Sequence, residues 1–592
     1  MPSRRLAALV LLAGAPLLSQ ALKPGLALIP ASVETVEIYP RPAEAELRGR
    51  AFSARFGDAG PFSGLEGRTG LRPAELSPGA AFLAEYPAPE VQGTPAKQAA
   101  PARARYLAVV PAPAPEALLT RLKATRHGEF WTYTLAGETR YAVARGGFLL
   151  ISADRATLQS ALAVKETLAK EVDAPLEAWL ASHDTDLLWS GRTLRSGLDG
   201  AVADLHKPAA APDPGLAWKI RFRALVEKAR ASVVHAALGL DLAQDGSVRM
   251  SVKAFYRPGS PLAVDAAALA PLGTHPLAGL AEGPFALAMG GQWPDWFSLM
   301  GSDPDLAQAA YPAGSLPTGF QVRMAQALQA EQAQVQALSV RVAPPAQAGD
   351  PLLKGAVSVL RVSDASAYLA AQDRVVALHT EAAAKSGLAP LLTLQKAILP
   401  DVPSYALVTD LTRLQGGQAQ AAMVGGFLFG EPRMRQSVAK VDEHTLVSVF
   451  GDAEALQRTL QAFKRAGALS AAPGIKRTDT LLPPDSRFTL YLDLKGLRDL
   501  AQALASAFGK GGAPLPEVPA VAPLGLAFTC DPSGFQLQGA AHPETLAALS
   551  DLFAQLRKAT AQAPDATPEP GQEAAPEGKE PGGEPAPEPD AD

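Results

Sequence analysis

Five times along this chain, a run of strand character stops at an aspartate and gives way at once to the apolar spacing of a helix. Residues 149–153 lead into Asp154, with Leu158 and Leu162 following, and residues 447–451 lead into Asp452, with Leu456 and Leu460 following. The same junction falls at Asp364, Asp410 and Asp493. An aspartate in that place accepts hydrogen bonds from the first free N–H groups of a helix and suits its positive end. These five carboxylates are therefore expected to be helix caps before they are catalytic acids. A chain punctuated in this way mixes strands and helices, and the predicted class is α+β.

Two of the junctions align without a gap: Asp154, Leu158, Gln159 and Leu162 match Asp452, Leu456, Gln457 and Leu460. In each copy a second strand-to-helix unit follows, at residues 184–198 and 485–500. A hairpin pattern comes next, at residues 233–256 around Gln244-Asp245-Gly246, and at residues 524–541 around residues 531–534. The repeated order predicts a two-copy duplication. Residues 22–265 and 266–558 are read as related halves, each a mainly antiparallel sheet with helices packed on one face. Helical stripes are read at Leu497, Leu500, Ala501, Leu504 and Phe508, and at Leu546, Leu549, Phe553 and Leu556, the latter opened by Pro543. Gly146-Gly147-Phe148 and Gly425-Gly426-Phe427 are both read as entering strands. Proline-rich stretches at 86–102, 207–215, 343–351 and 511–523 read as linkers or long loops.

The first 21 residues carry Arg4 and Arg5, an apolar run from Leu6 to Leu18, and Ser19-Gln20-Ala21. That is the pattern of an export signal cleaved after Ala21, and the apolar run is shorter than the roughly 20 residues a membrane span needs. No later stretch reads as a span. Residues 559–592 hold almost only Pro, Glu, Ala, Gly and Asp, and are expected to be a disordered acidic tail, solubilising or acting as a spacer. From Asp565 onward there are nine acids and one lysine, so the net charge of −5 resides in the tail and the body is close to neutral. A neutral body lacks the basic patch that nucleic-acid binding requires. The single cysteine, Cys530, allows no internal disulfide and lies in an apolar strand, as an inert buried thiol would. The export signal, the repeated strand-Asp-helix unit and the Leu-Pro-Pro-Asp run at 482–485, echoed at 399–401, resemble large bacterial secreted proteins classed as domains of unknown function. The resemblance implies an exported protein, no particular activity and no functional residues.

Chemistry has few local signatures. Eight histidines stand singly, with no His-x-x-x-His or Cys-x-x-Cys spacing, so no metal site and no cofactor are expected. Asp184-Thr185-Asp186 and Asp303-Pro304-Asp305 begin like calcium loops but lack the later glycine and acid. There is no Gly-x-Ser-x-Gly elbow, and Gly509-Lys510 is followed by Gly511 where a phosphate loop needs Ser or Thr. Two segments are candidate interaction surfaces. Trp218 and Phe222 head the apolar stripe of a basic helix, read as docking on a sheet or lying on an anionic membrane surface. Trp293 and Trp296 cluster after Gly290-Gly291, read as core filling or as a stacking surface. The leading expectation is a non-enzymatic exported protein, periplasmic, surface-bound or secreted, that binds or scaffolds a partner. The alternatives are a carrier of a lipid or other apolar ligand, and a hydrolase whose site is assembled from distant residues.

Overall fold

The computed structural model describes residues 22–56, 63–87, 105–206, 216–269, 272–292, 316–347, 350–413, 418–465, 467–507 and 515–562. The expected export signal, the two tryptophans Trp293 and Trp296, and residues 563–592 lie outside the described residues. Ten strands occupy the first part of the chain: β1 (Thr35–Tyr39), β2 (Ala81–Glu85), β3 (Tyr106–Pro111), β4 (Thr125–His127), β5 (Phe130–Leu135), β6 (Glu138–Arg145), β7 (Phe148–Ser152), β8 (Thr185–Trp189), β9 (Val233–Leu242) and β10 (Val248–Tyr256). Ten more follow: β11 (Leu287–Gly291), β12 (Val335–Val342), β13 (Val357–Val362), β14 (Leu392–Lys396), β15 (Ser404–Asp410), β16 (Arg433–Asp442), β17 (Thr445–Phe450), β18 (Phe488–Leu492), β19 (Leu524–Asp531) and β20 (Gly534–Ala541).

Among the described residues, all twenty join one antiparallel sheet. From the β4 edge the pairing runs β4-β5-β6-β7-β3-β2-β1-β8-β9-β10. From the β14 edge it runs β14-β15-β16-β17-β13-β12-β11-β18-β19-β20. Counted within each set of ten, the two orders are the same. They meet where residues 248–255 of β10 pair with residues 541–534 of β20. Isolated bridges at Pro30–Thr167 and Ala281–Ala468 occupy matching places before β1 and β11.

The first set of helices is α1 (Lys23–Leu26), α2 (Pro42–Phe56), α3 (Ser63–Thr69), α4 (Pro115–Arg121), α5 (Arg155–Ala163), α6 (Ala174–Leu180), α7 (Gly191–Leu205), α8 (Leu216–Ser232) and α9 (Pro261–Ala268). The second is α10 (Phe320–Gln332), α11 (Ala365–Ser386), α12 (Gln418–Phe429), α13 (Ala453–Arg465), α14 (Pro473–Asp479), α15 (Leu494–Ala507) and α16 (Pro543–Gln562). The aspartate junctions cap them as the chemistry requires. Asp154 accepts from the backbone N–H groups of Ala156 and Thr157, Asp364 from Ser366 and Ala367, Asp452 from Ala455, and Asp493 from Gly496. Asp410 caps a single 3-10 turn through Thr412.

The helices do not keep to one face of the sheet, which corrects the layering expected from sequence. Every residue of β3 is buried, because both of its faces are covered. Leu107 and Val109 pack with Leu158 of α5 and Leu176 of α6, whereas Ala108 and Val110 pack with Leu65 of α3 and Leu119 of α4. A strand buried on both sides reads as a continuous apolar run. Other expectations also shift. Gly146 and Gly147 do form the β6–β7 turn at positive φ, but Gly425 and Gly426 lie inside α12 and not at a strand entrance. Ala501 is exposed on α15 while Ala503 is buried, and Phe553 of α16 is 56% exposed while Ala548, Leu549 and Leu552 pack. Helix α16 runs to Gln562, past the expected start of the tail at 559. Helix α8 packs mainly against α7 and α9, with Lys228 paired to Asp265 and Arg230 to Asp199, where sequence favoured docking on the sheet.

Candidate functional site

The α3/α4 face of the sheet is treated differently in the two sets of strands. On β2, β3, β7 and β6 it carries Leu83, Ala108, Ile151 and Ala142, which form one dry core with Tyr106, Tyr133 and Leu149. The pairings Leu83–Ala108, Ala108–Ile151 and Ile151–Ala142 tie these positions together. The strands in the same places beyond the seam are β12, β13, β17 and β16, where the corresponding pairings are Val340–Ser358, Ser358–Ser448 and Ser448–Val438. Two hydroxyls stand where the first set has alanine and isoleucine. The space above them is a cavity of about 280 Å³, lined by aliphatic and aromatic groups including Leu338, Val340, Leu360 and Phe450.

The cavity exists because of how its roof is built. Helices α10 and α11 pack on each other through Phe320, Met324 and Leu328 against Val375, Leu378 and Ala382. That core extends onto Leu392 of β14 and Leu407 of β15 at the sheet edge, while the first turns of α11 carry Ala365, Tyr368 and Leu369 onto Val362, Tyr405 and Leu446, and the hollow lies between these two contacts and strands β12, β13 and β17. The roof is anchored at its start by the Asp364 cap and stopped at Gly387, at φ +66.

The polar groups of the cavity are few and uncharged. Ser358 Oγ and Ser448 Oγ lie 2.6 Å apart, and Gln436 Nε2 donates to Ser448 Oγ at 3.2 Å. The two hydroxyls share one proton between them and leave the other free to donate. On the roof, Gln372 Nε2 donates to the Tyr368 hydroxyl at 3.4 Å and to the carboxylate of Glu331 on α10. Burial raises the Glu331 carboxyl above its ordinary range, opposed by its bonds to Tyr368 and Gln372. Burial also raises the Tyr368 and Tyr405 phenols, which therefore stay neutral. A second, more open hollow of about 530 Å³ flanks α11 and shares Gln372 and Tyr405 with the first. Lys396 Nζ meets Asp373 Oδ2 at 2.8 Å beside it. An apolar hollow with a few convergent hydrogen-bonding groups is the usual form of a small-molecule site.

The residues singled out from sequence are not brought to this cavity. Trp218 and Phe222 lie on α8, with their side chains outside the described residues, as are Trp293 and Trp296. No sequence motif marked the cavity; the substitution of serines into a strand pair was its only trace. The hydrolase alternative has its best candidate at His183, whose Nδ1 lies 2.9 Å from Asp186 Oδ1 under the edge of Trp179. Both residues are buried. Neighbouring Asp184 pairs with Arg48 at 2.7 Å and accepts from the Leu242 backbone at 2.8 Å, so it braces the fold and does not begin a calcium loop. A second pair, His275 Nε2 to Asp479 Oδ2 at 3.2 Å, lies far along the chain, with the Tyr491 hydroxyl also donating to Asp479. Among the described residues, neither pair has a serine, threonine or cysteine bonded to the imidazole, as a nucleophile–base arrangement requires. Cys530 is half-buried beside Tyr256, and burial raises its thiol, so the thiolate is disfavoured. Among the described residues no cluster of His, Cys, Asp and Glu could hold a metal ion, and no helix is long and apolar enough to cross a membrane. No protein-family model, no curated protein and no solved structure matches this chain.

Proposed function

We propose that the protein is an exported, non-enzymatic binding protein that holds an apolar ligand between strands β12, β13, β15–β17 and helix α11. One observation carries the reading. The same strand positions are closed and dry in the first ten strands, and open and dotted with paired hydroxyls in the second ten. Interiors are packed nearly to crystal density, so a retained hollow of this size costs stability unless something fills it. The proposal includes descent of the sheet from two related halves, supported by the matching strand orders about the β10–β20 seam. In that picture one copy kept a packed core and the other became a container. Export rests on the pattern of residues 1–21 and suits a carrier working outside the cytoplasm.

The experiment is a binding assay with N-phenyl-1-naphthylamine, an uncharged fluorophore that brightens in apolar surroundings. Wild-type protein should enhance its emission saturably. Ser448→Phe, which puts a ring into the cavity, should remove most of that enhancement, while Ile151→Val, a conservative change at the corresponding position of the closed side, should leave it intact. Equal enhancement by wild type and Ser448→Phe would defeat the proposal.

A further inference from the structure

The opposite face of the same strands holds a second cavity, of about 220 Å³, under helix α13. Its walls are apolar, with Val357, Val447, Ala462 and Phe463, but two arginines enter it, Arg341 and Arg458. Arg458 is largely exposed and is paired on the α13 surface, its Nη1 2.7 Å from Glu454 Oε1. Arg341 is different. Its Nη1 donates to the Ala281 carbonyl at 2.8 Å, its Nε is buried without a hydrogen-bond partner, and no carboxylate of the described residues pairs with it. Burial alone lowers its pKa, with no acid acting in the other direction. Charges drawn out of water are ordinarily paired, so a half-buried guanidinium without a carboxylate partner, facing a hollow, calls for a counter-ion.

The place in the fold sharpens this. Arg341 pairs across to Ala288 of β11, and the strand residue in that position of the first set, opposite Val36 of β1, is Ala84, fully buried in an apolar core. The cation is thus an addition to a site that the fold can close with alanine. Gly283 makes room for it: a Cβ there would sit 2.5 Å from Arg341 Nη1.

The geometry points to a second binding site, in which the free edge of the Arg341 guanidinium takes the carboxylate of a small organic acid and the Val357, Val447 and Phe463 side chains take its compact apolar body. Guanidinium matches a carboxylate in charge and in the spacing of its donors. The size suits an aromatic acid, since an apolar cavity of about 150 Å³ accepts benzene. The site is on the other face of the sheet from the proposed apolar-ligand cavity, and the two stand or fall separately.

The test is isothermal titration calorimetry of the full mature chain with benzoate and with benzyl alcohol, its uncharged analogue. Benzoate should bind, and benzyl alcohol should bind at least about tenfold more weakly, because only the ion satisfies Arg341. Arg341→Gln should lose at least about tenfold in benzoate affinity, and Arg341→Lys should fall between it and wild type. The comparison of the two ligands on wild type needs no variant and holds even if Arg341→Gln folds poorly. No benzoate binding, equal affinity for the two ligands, or an Arg341→Gln protein that binds benzoate like wild type would overturn the assignment.

Discussion

At the level of single residues, the chain buries more acid than its stability at neutral pH favours. Asp186 is pushed up to about 7, chiefly by burial, against the pull of His183 beside it. Burial pushes His183 down, but the hydrogen bond and charge of Asp186 outweigh it and hold the imidazole above its ordinary value. Both groups therefore bind protons more tightly in the folded protein than in the unfolded chain. Their contribution to stability is full below the ordinary carboxylate range and is lost as pH rises through about 7. The pair titrates as a unit, so the loss is best read from the whole protein. Unfolding free energies from urea titrations should fall for wild type, from the ordinary carboxylate range up to neutral pH, by a span on the order of a few kcal/mol, and Asp186→Asn should flatten that slope. An unchanged slope in the variant would assign the pH dependence elsewhere. His183 stands directly before Asp184-Thr185-Asp186, but the burial that shifts the pair and the partners Arg48 and Leu242 are set by the fold and not by spacing.

The elements themselves were largely legible. Caps are local chemistry, and each of the five aspartates sits at the helix or turn start that the sequence implied. The faces were not. A strand covered on both sides has no alternation to read, and the continuous apolar run of β3 hid the helices on its second face. Gly425 and Gly426 misled because a glycine pair before an aromatic looks the same at a turn as inside α12. Sheet position also sets local stability. The edge strand β4 is three residues long and exposed throughout, while residues 248–255 of β10 are paired on both sides. Opening free energy falls toward edges and rises toward paired interiors. In hydrogen exchange followed by mass spectrometry, amides of residues 125–127 should exchange among the fastest of the strands and those of residues 248–255 among the slowest. The reverse order would mean that the seam is not the continuous ladder described here.

For the molecule as a whole, the duplication signal in sequence was confined to four aligned residues and an order of parts. The two sets of ten strands share one pairing order, and a duplication is our proposal to account for it. What the sequence could not offer was the difference between the two sets of strands, since a Ser358–Ser448 pair standing where the first set has Ala108 and Ile151, or Arg341 where it has Ala84, has meaning only once the strands are in register. Those differences are where the proposed binding functions reside: one face of the second set of strands is hollowed for an apolar ligand, and the other carries the half-buried guanidinium of Arg341. Met250 and Leu537, 49% and 38% exposed at the seam on the face that carries the apolar cavity, keep that face apolar between the two halves. The most direct test is native mass spectrometry of the mature protein purified from its own host, followed by organic extraction and identification of what is released. The account predicts a stoichiometric apolar molecule that is lost in Ser448→Phe. A wild-type protein that is empty as isolated and takes up no apolar compound on incubation would contradict it.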